Sequence, residues 1–201
     1  MIGIINYGLG NVKSFINIYN ALNIDCMLVS SLEDFEQVDK LILPGVGAFD
    51  FAMNTLEQSG FLNKLQDLVL NKKMPILGVC IGMQMMAQSS EEGVRPGLGW
   101  IEGTVKKMEP GSDYPLPHMG WNSVRQIGES TIFAGIENNS EFYFLHSYFL
   151  DGAVSEQVVA VAEYPELFPV VVQAGNIYGM QCHPERSHHQ GVTFLKNFAK
   201  L

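Results

Sequence analysis

The stretch that decides the fold is ILGVCIGMQ, residues 76–84. Four apolar positions, 76–79, carry no polar alternation, which is typical of a strand buried on both faces of a sheet. Gly78 and Gly82 flank Cys80 symmetrically, and a helical pattern follows. A strand that turns through Gly-x-Cys-x-Gly into a helix is the cysteine form of the nucleophile elbow. The stretch therefore predicts an α/β fold that exposes Cys80 in a strained turn, where the helix N-terminus stabilises a thiolate.

The sequence before the elbow repeats the alternation of buried strand and helix. Val12, Phe15 and Ile16 lie on one face of a helix, directly after the first apolar run. Such repeats form parallel βαβ units whose sheet is covered on both faces. The predicted strands are 2–6, 26–29, 40–43, which Pro44 ends, and 75–79. The predicted helices are 11–22, two stretches within 49–70 broken near Gly60, and 81–88.

The second half of the chain has short strand-like segments separated by Gly, Pro and Asn, which favour antiparallel hairpins that extend the parallel sheet. The fold class predicted is a three-layer α/β fold with a mixed, mainly parallel central sheet. Because no linker separates the halves, we expect a single domain over residues 1–201. The predicted strands are 103–108, 122–127, 141–145, 158–162, 170–174 and 177–181, followed by a last helix at 191–200.

Composition excludes several classes of protein. The 201 residues are 47% hydrophobic and 16% charged, which excludes disorder as the main state. A net charge of −9 without clustered Lys and Arg argues against nucleic-acid binding. There is no apolar run of about 18 residues for a membrane span, and the start lacks the basic region of a signal peptide. Three scattered cysteines form no disulfide framework, so we expect a cytoplasmic protein.

A thiolate nucleophile needs a base, and one of the five histidines stands out. His183 follows a predicted strand and precedes Pro184 and Glu185, so a nearby carboxylate can orient the imidazole as in a triad. On its own, His-Pro-Glu is equally consistent with an ordinary turn. The remaining cysteines and two of the histidines lack such a setting: we expect Cys26 and Cys182 in the core, and His188 and His189 as solvated residues at a helix start.

The oxyanion of an acyl-transfer intermediate needs amide donors. The amide of Ile81, directly after the nucleophile, is one candidate. The loop Pro44–Gly47 follows a buried strand and holds two glycines, so its amides can also face the crevice. An ordinary β–α turn remains the alternative for this loop. It is not a phosphate loop, because GxxxxGK[ST] is absent.

Together, the elbow with Gln84 four residues after its cysteine and the later His-Pro-Glu resemble the class I, triad-type glutamine amidotransferases, which have a flavodoxin-like fold. A narrower resemblance is to the glutaminase subunits of imidazole glycerol phosphate synthases. It rests on five segments spread along the chain: NYGLGN (6–11), LPGVGAF (43–49), SEEG (90–93), PHMGWN (117–122) and YFLHSY (143–148).

The resemblance implies a catalytic role for each matching residue. Cys80 would attack the carboxamide of glutamine, His183 would carry the proton to the leaving ammonia, and Glu185 would orient His183. The oxyanion would be held by the amides of Ile81, Val46 and Gly47, and the α-groups of glutamine by Gln84, Glu92 and the backbone at Ser147 and Tyr148.

The resemblance also implies a partner, a (β/α)₈-barrel cyclase subunit that uses the ammonia to make imidazole glycerol phosphate and aminoimidazole carboxamide ribonucleotide in histidine biosynthesis. The chain is too short to contain a barrel of roughly 250 residues itself. No metal or organic cofactor is implied, because thiol, imidazole and amides suffice for amide hydrolysis. The residues expected at the partner surface are His118, Trp121, Asn122, Tyr143 and Arg186.

Other interpretations stay open at this point. A paralogous glutaminase subunit could feed another acceptor synthase, for example in surface-sugar amidation; a stand-alone cysteine hydrolase or a non-enzymatic binding module is also conceivable. Without the resemblance, Gln84 is equally consistent with a surface helix residue and Glu92 with a solvated loop. His118 and Trp121 are then equally consistent with ordinary packing. One regulatory hypothesis is that the Gly45–Gly47 loop rests with an amide turned away from the oxyanion and flips when partner and acceptor bind.

Overall fold

A computed structural model describes all residues, 1–201, and contains a nine-stranded mixed sheet in the order β2-β1-β3-β4-β12-β11-β10-β7-β8. Its first five strands are parallel. The predicted α/β class with a mainly parallel core is therefore confirmed. These strands are β1 (Ile2–Ile5), β2 (Cys26–Val29), β3 (Lys40–Gly45), β4 (Ile76–Cys80) and β12 (Ile177–Met180).

The strand order changes direction between β1 and β3. The connection from β1 to β2 runs one way across the sheet, and that from β3 to β4 runs the other way. Right-handed crossovers then place their helices on opposite faces and leave a crevice at the carboxyl ends of these strands. The helices are α1 (Val12–Ala21), α2 (Phe49–Gln58), α3 (Leu62–Gln66) with a π-helical turn at Asp67–Asn71, α4 (Ile81–Met85) and α5 (His188–Lys200).

The prediction that Pro44 ends the third strand is wrong, because β3 continues to Gly45. On one side of β3, pairing with β1 stops at Ile42, so Pro44 faces no partner there that needs its missing N–H. On the other side, β3 stays paired with β4 as far as Gly45 opposite Cys80. The extension carries the glycine loop directly to the nucleophile turn.

The antiparallel half completes the central sheet as predicted, but its strands are longer. Strand β7 begins at His118 rather than at 122, because its first residues include a glycine and show no simple apolar alternation. It pairs with β8 from His118 opposite His146 to Val124 opposite Ser140. The strands are β7 (His118–Gln126), β8 (Ser140–His146), β10 (Val158–Glu163) and β11 (Leu167–Ala174).

A separate three-stranded sheet was not predicted. It joins β5 (Ser89–Ser90), β6 (Thr104–Lys107) and β9 (Tyr148–Asp151). The expectation that 103–108 extends the central sheet is therefore wrong. Strand β9 follows β8 after the single residue Ser147, so the change of sheet falls inside the mostly apolar stretch 142–150 with no turn signal to mark it.

The core is one continuous cluster of 55 buried residues. Two pairs of helices enclose it: Tyr19 of α1 donates to the Leu195 carbonyl of α5 at 3.2 Å, and α2 packs against α4. Strand β4 is buried along its whole length, so the elbow is held by a fully buried part of the sheet. No helix is both long and apolar enough to cross a membrane.

Candidate active site

The elbow forms because its glycines let three backbone segments touch. A Cβ on Gly78 would lie 2.6 Å from the Gly82 carbonyl oxygen, and one on Gly82 would lie 1.9 Å from that of Leu43. No side chain fits at such distances. Cys80 itself has φ 55° and ψ −114°, a strained conformation for a non-glycine residue. The structure therefore holds Cys80 where β4 ends and α4 begins, as the sequence predicts.

The Cys80 side chain lies at the wall of a cavity of about 480 Å³. Its Sγ atom lies 3.8 Å from Nε2 of Gln181, which donates, and 4.0 Å from the carbonyl oxygen of Leu145, which can accept from the thiol. Cys80 is only 5% exposed, so the cavity is its route to solvent. The other thiols lie elsewhere: Cys182 is fully buried and Cys26 is half-buried, away from the cavity.

His183 and Glu185 meet beside this cavity as predicted. Nδ1 of His183 lies 2.9 Å from Oε1 of Glu185, with both side chains about 5% exposed. Nε2 of His183 is buried without a hydrogen-bond partner. Burial alone would lower the pKa of His183, but the neighbouring Cys80 and Glu185 side chains raise it to about 10. The imidazole is thus held by Glu185 through Nδ1 and, at this pKa, carries a proton on Nε2 near pH 7 with Cys80 as its neighbour.

The turn that follows His183 is hydrogen-bonded to β8. Pro184 begins a 3₁₀ turn, and Ser187 ends it by donating from Oγ to the His183 carbonyl at 2.5 Å. The same Oγ accepts from the Tyr143 amide at 3.0 Å, while the His183 amide donates to the Tyr143 carbonyl at 2.9 Å. These bonds fix the base relative to the sheet, so that little motion is left to separate it from Cys80.

Gln84 is almost fully buried, at 1% exposure, which overturns the alternative of a surface helix residue. Its Nε2 donates to the Tyr148 carbonyl and to Oε1 of Gln181, each at 2.9 Å. Its Oε1 is buried and has no partner in the chain. Because Gln84 lines the cavity, this free oxygen is suited to accept from an ammonium or amide group of a bound molecule.

Glu92 lines the same cavity from the loop before β6. Its Oε2 accepts from the Phe49 amide at the start of α2 at 2.8 Å. Asp50, the next residue of α2, accepts from the amides of Val94 and Arg95 at 3.0 Å each. These amide hydrogen bonds hold the pKa of Asp50 below its usual range. The Glu92 loop and the first turn of α2 therefore hold each other in place.

The loop at residues 45–47, which is predicted to hold the oxyanion, forms the wall of the cavity next to the start of α2. A Cβ on Gly45 would lie 2.6 Å from the Gly82 amide nitrogen, so this glycine is required for the loop to reach the elbow. Gly47 has φ +94°, a conformation that favours glycine. Val46 and Gly47 line the cavity with Ile81, and the Val46 side chain is 43% exposed. The three predicted donors thus surround one space next to Cys80.

Several of the residues predicted to face a partner form an exposed surface that adjoins the cavity at Arg186, the one residue of this set that lines the cavity. Trp121 is 44% exposed and stacks on His188, with ring centroids 4.8 Å apart. The Arg186 guanidinium lies 4.9 Å from the centre of the Tyr143 ring. His188 begins α5 as a solvated residue, as predicted, but it also covers one face of Trp121. These side chains form an exposed aromatic and cationic rim.

The expectation that His118 lies at the partner surface is wrong. Its side chain is only 3% exposed and so cannot face a partner directly. Its Nδ1 lies 3.0 Å from Nε2 of His146, and its ring stacks between Phe144 and Tyr164. Asn122 contacts Nε2 of His118 at 3.3 Å and lies half-buried beside it. Burial lowers the pKa of His118 to about 4 and, with His118 nearby, that of His146 to about 3. Both rings are therefore neutral near pH 7.

Sequence reasoning missed several residues of the site. His146 was quoted only as part of a motif, and Gln181 only as the end of a strand. The signal for Gln181 was its place two residues before His183, directly after a buried strand. No group of three or more His, Cys, Asp or Glu is arranged to hold a metal ion. Other lining residues that the sequence did not indicate are Asn11, Pro117 and Leu145.

The sequence matches the family described as "Glutamine amidotransferase class-I" over residues 4–201. It is 48% identical to "Imidazole glycerol phosphate synthase subunit HisH" of Leptospira borgpetersenii, with 100% of both chains covered. It is 43% identical to "Imidazole glycerol phosphate synthase subunit HisH 2" of Pseudomonas aeruginosa, again with 100% of both covered. A solved structure described as a glutamine amidotransferase covers 100% of this chain and 99% of its own, with a TM-score of 0.76 at 17% identity.

Proposed function

Since this chain belongs to the class I glutamine amidotransferase family, we propose that it is the glutaminase subunit of an imidazole glycerol phosphate synthase. In this role it hydrolyses glutamine to glutamate and supplies ammonia for histidine biosynthesis in the cytoplasm. The observation that carries the proposal is the buried, unpartnered Nε2 of His183 beside the cavity that Cys80 lines. Glu185 holds the other nitrogen of this imidazole at 2.9 Å.

The reaction begins from the ion pair in which His183 Nε2 already holds the proton of Cys80, consistent with the raised pKa of His183. The thiolate attacks the side-chain carbonyl carbon of glutamine, forming a C–S bond and moving the carbonyl electron pair onto oxygen. Collapse of this intermediate breaks the C–N bond, and His183 returns the proton to the leaving ammonia. Water then hydrolyses the glutamyl thioester, again with His183 as base. Glu185 stabilises the imidazolium formed at each proton transfer.

The oxyanion is held by backbone amides of Ile81, Val46 and Gly47. The positions of these residues support this role: all three line the cavity beside Cys80, and the glycines let the loop approach the elbow. Amide donors in a water-poor site stabilise a developing negative charge strongly, because they need not reorganise during the reaction.

The α-groups of glutamine are bound at the other end of the cavity. Glu92 takes the ammonium through the carboxylate oxygen that does not bind α2, and the buried Oε1 of Gln84 accepts a further hydrogen bond. The backbone at Ser147 and Tyr148 lines the same end. Both of these side-chain oxygens are acceptors and therefore suit the ammonium, whereas the carboxylate of glutamine needs donors, for which the backbone N–H groups at Ser147 and Tyr148 are the candidates.

The ammonia passes to a (β/α)₈-barrel cyclase subunit bound as a heterodimer. Free ammonia is protonated in neutral water and loses its nucleophilicity, so a sheltered transfer is needed. The exposed rim formed by Trp121, Tyr143 and Arg186 supports docking at the mouth of the cavity, because aromatic residues and Arg are enriched in interface cores. Asn122 contributes from the edge of this surface, and no cofactor takes part.

A second candidate is a glutaminase subunit that serves another acceptor synthase. It is favoured by the number in the name of the Pseudomonas aeruginosa relative, which marks one of several numbered subunits. Acceptor specificity belongs to the partner, so the residues around Cys80 would be the same in both cases.

The test is glutamate release from glutamine by the purified chain, alone and with the barrel cyclase and its phosphoribosyl ligand, with Cys80→Ala as the blank. Strong stimulation by the cyclase supports the histidine pathway. No stimulation, with Cys80 still labelled by glutamine analogues, favours the other acceptor. Glutamine use by the Cys80→Ala complex would overturn the nucleophile assignment.

A further inference from the structure

Gln181 is a fully buried amide in contact with the nucleophile. It follows the last residue of β12, its backbone amide donates to the Val170 carbonyl at 2.8 Å, and its side chain is 0% exposed. Its Nε2 lies 3.8 Å from Sγ of Cys80, within reach of an N–H···S hydrogen bond. A residue kept only for packing in this position would be apolar, because burying an amide costs free energy unless both ends are hydrogen-bonded.

The orientation of the Gln181 amide is fixed by its neighbour. Oε1 of Gln181 accepts from Nε2 of Gln84 at 2.9 Å, so the NH₂ end of Gln181 must face the sulfur. Gln84 is fixed in turn, because the same Nε2 donates its second hydrogen to the Tyr148 carbonyl at 2.9 Å. An amide turned the other way would place two NH₂ groups against each other. The hydrogen bond to Cys80 is therefore imposed by the surrounding structure.

The need for this donor arises when Cys80 loses its proton. As a thiol, Cys80 can donate to the Leu145 carbonyl at 4.0 Å while it accepts from Gln181. As a thiolate it can only accept, so the Leu145 oxygen becomes an unfavourable neighbour and Gln181 a favourable one. Because an amide does not titrate, this donor is present in every protonation state of His183.

We propose that Gln181 is a catalytic residue that donates a hydrogen bond to the Cys80 thiolate and thereby stabilises the nucleophile after His183 has taken its proton. The inference rests on the proposed glutaminase mechanism, in which Cys80 is the nucleophile. When the thiolate attacks glutamine, the negative charge moves from sulfur to the carbonyl oxygen, and the bond from Gln181 weakens as the oxyanion amides take over. Gln84 is a positioning residue for Gln181 in addition to its role toward the substrate.

The rate at which iodoacetamide alkylates Cys80, followed from pH 5 to 10 by mass spectrometry, tests this role because it reports the thiolate fraction without substrate. Gln181→Met keeps the length of the side chain and removes the donor. We expect the pH midpoint of alkylation to rise by about one unit, with an alkylation rate about tenfold lower below the midpoint. The titratable and charged groups around Cys80, unchanged in this variant, are His183, Glu185, Tyr7, Cys182, His146, Glu92 and Arg186.

Two further variants separate this role from packing. Gln181→Glu is nearly isosteric but places an acceptor and a negative charge toward the sulfur, so the midpoint should rise further than in Gln181→Met. Gln173→Met removes a comparable amide on β11, bonded to Tyr178 and Ser130 away from the cavity, and should leave the midpoint unchanged. A purely structural role for Gln181 would change the unfolding midpoint in urea without moving the alkylation midpoint, and that result would overturn the inference.

The outcomes also distinguish this inference from the proposed function. If Cys80→Ser still releases glutamate at the wild-type rate, the proposed mechanism fails. If Cys80 is required but both Gln181 variants keep the wild-type alkylation profile, only the role of Gln181 fails. A raised midpoint together with a lower kcat and an almost unchanged KM for glutamine supports both.

Discussion

At the scale of single residues, the charge on His183 depends on two neighbours. Its folded-state pKa of about 10 lies above the ordinary value of 6.5, because Cys80 and Glu185 outweigh the effect of burial. A raised pKa stabilises the fold fully below pH 6.5, and this contribution is lost as the pH rises through about 10. The proposed catalytic base and the stability of the fold therefore depend on the same titration.

Replacing the carboxylate tests this dependence. Glu185→Gln should lower the kcat for glutamine by roughly 10²-fold or more, because the imidazolium loses its stabilising charge and its fixed orientation. Urea unfolding should show a loss of stability that is largest below pH 6.5 and shrinks toward pH 10. Full activity in this variant, or a loss of stability that grows with pH, would contradict the assigned role of Glu185.

Gly82, two residues after Cys80, sets the position of the turn. Gly82→Ala would place a Cβ 1.9 Å from the Leu43 carbonyl oxygen, a backbone atom that cannot move aside cheaply. We expect a loss of stability of about 1–3 kcal/mol, or more if β3 is displaced. Gly128→Ala is the matched control, because its Cβ would approach nothing closer than 4.0 Å. Equal urea midpoints for both variants would show that the close approach is not required.

The sequence predicted those site residues whose environment is local. Cys80 lies between two glycines, and His183 lies two residues from its carboxylate, so neighbours along the chain reveal both. Gln181 and His146 were not predicted to act, because their partners are far away in sequence: Gln181 contacts Cys80 across 101 residues. His118 was wrongly expected at the surface for the same reason, since its burial depends on Phe144 and Tyr164.

At the scale of elements, α2 and the Glu92 loop act as one unit. Asp50 holds the loop through two amides, and Arg95 returns to α2 by donating to Asn54 at 2.5 Å and to Glu57 at 2.7 Å. Since the glycine loop leads directly into α2, this unit joins the end of the cavity proposed to hold the oxyanion to the end proposed to bind the α-groups of glutamine.

Asp50→Asn should loosen this unit, because an amide accepts hydrogen bonds less strongly than a carboxylate and its NH₂ end would oppose a backbone N–H. We expect the KM for glutamine to rise several-fold while kcat changes less, since Cys80 and His183 are not touched. Asp67→Asn is the control, as Asp67 bonds Asn71 in the π-helical turn outside the cavity. A fall in kcat with an unchanged KM would argue against a role in positioning Glu92.

Two histidines on the paired strands β7 and β8 change the stability with pH in the opposite direction to His183. His118 and His146 have folded-state pKa values of about 4 and 3, below the ordinary 6.5, because burial disfavours their charged forms. At a pH between these folded-state values and 6.5, the unfolded chain binds more protons than the folded chain. The free energy of unfolding therefore falls as the pH drops below 6.5.

His118→Phe keeps the stacking on Phe144 and Tyr164 but removes one of the two titrations. Below pH 6.5, the slope of the unfolding free energy against pH should decrease by up to about 1.4 kcal/mol per pH unit relative to wild type. Chemical denaturation at a series of pH values measures this slope. An unchanged slope would mean that His118 is already charged in the folded protein.

The sequence predicted most elements because apolar runs and helical periods are local properties. It did not predict the change of sheet at Ser147, because only the two polar residues His146 and Ser147 interrupt the apolar stretch 142–150 and the pairing partners differ on either side of them. It misplaced the end of β3 because the effect of a proline depends on which side of the strand is paired. Pairing partners are set by tertiary structure, so local patterns could not supply them.

At the scale of the whole molecule, the two tryptophans report on different regions. Trp121 is 44% exposed on the rim surface, beside Tyr143 and His188, while Trp100 is 7% exposed in the core. If the rim is the docking surface, adding the barrel cyclase should shift Trp121 emission to shorter wavelength as water is excluded. Trp121→Phe should abolish the shift and weaken binding by about tenfold or more, as expected for a central aromatic residue. A shift that persists in this variant would place the interface elsewhere.

The order of the central sheet has a consequence for how the protein is made. Strand β12 is the last strand in the sequence, yet it lies in the middle of the sheet between β4 and β11. While the ribosome is still synthesising the chain, the edge of β4 that pairs with β12 stays unpaired until nearly the whole sequence has emerged. Such edges recruit other strands and promote aggregation. We therefore expect stalled or truncated nascent chains to depend on chaperones, and Cys80 to remain without its base until synthesis is almost complete.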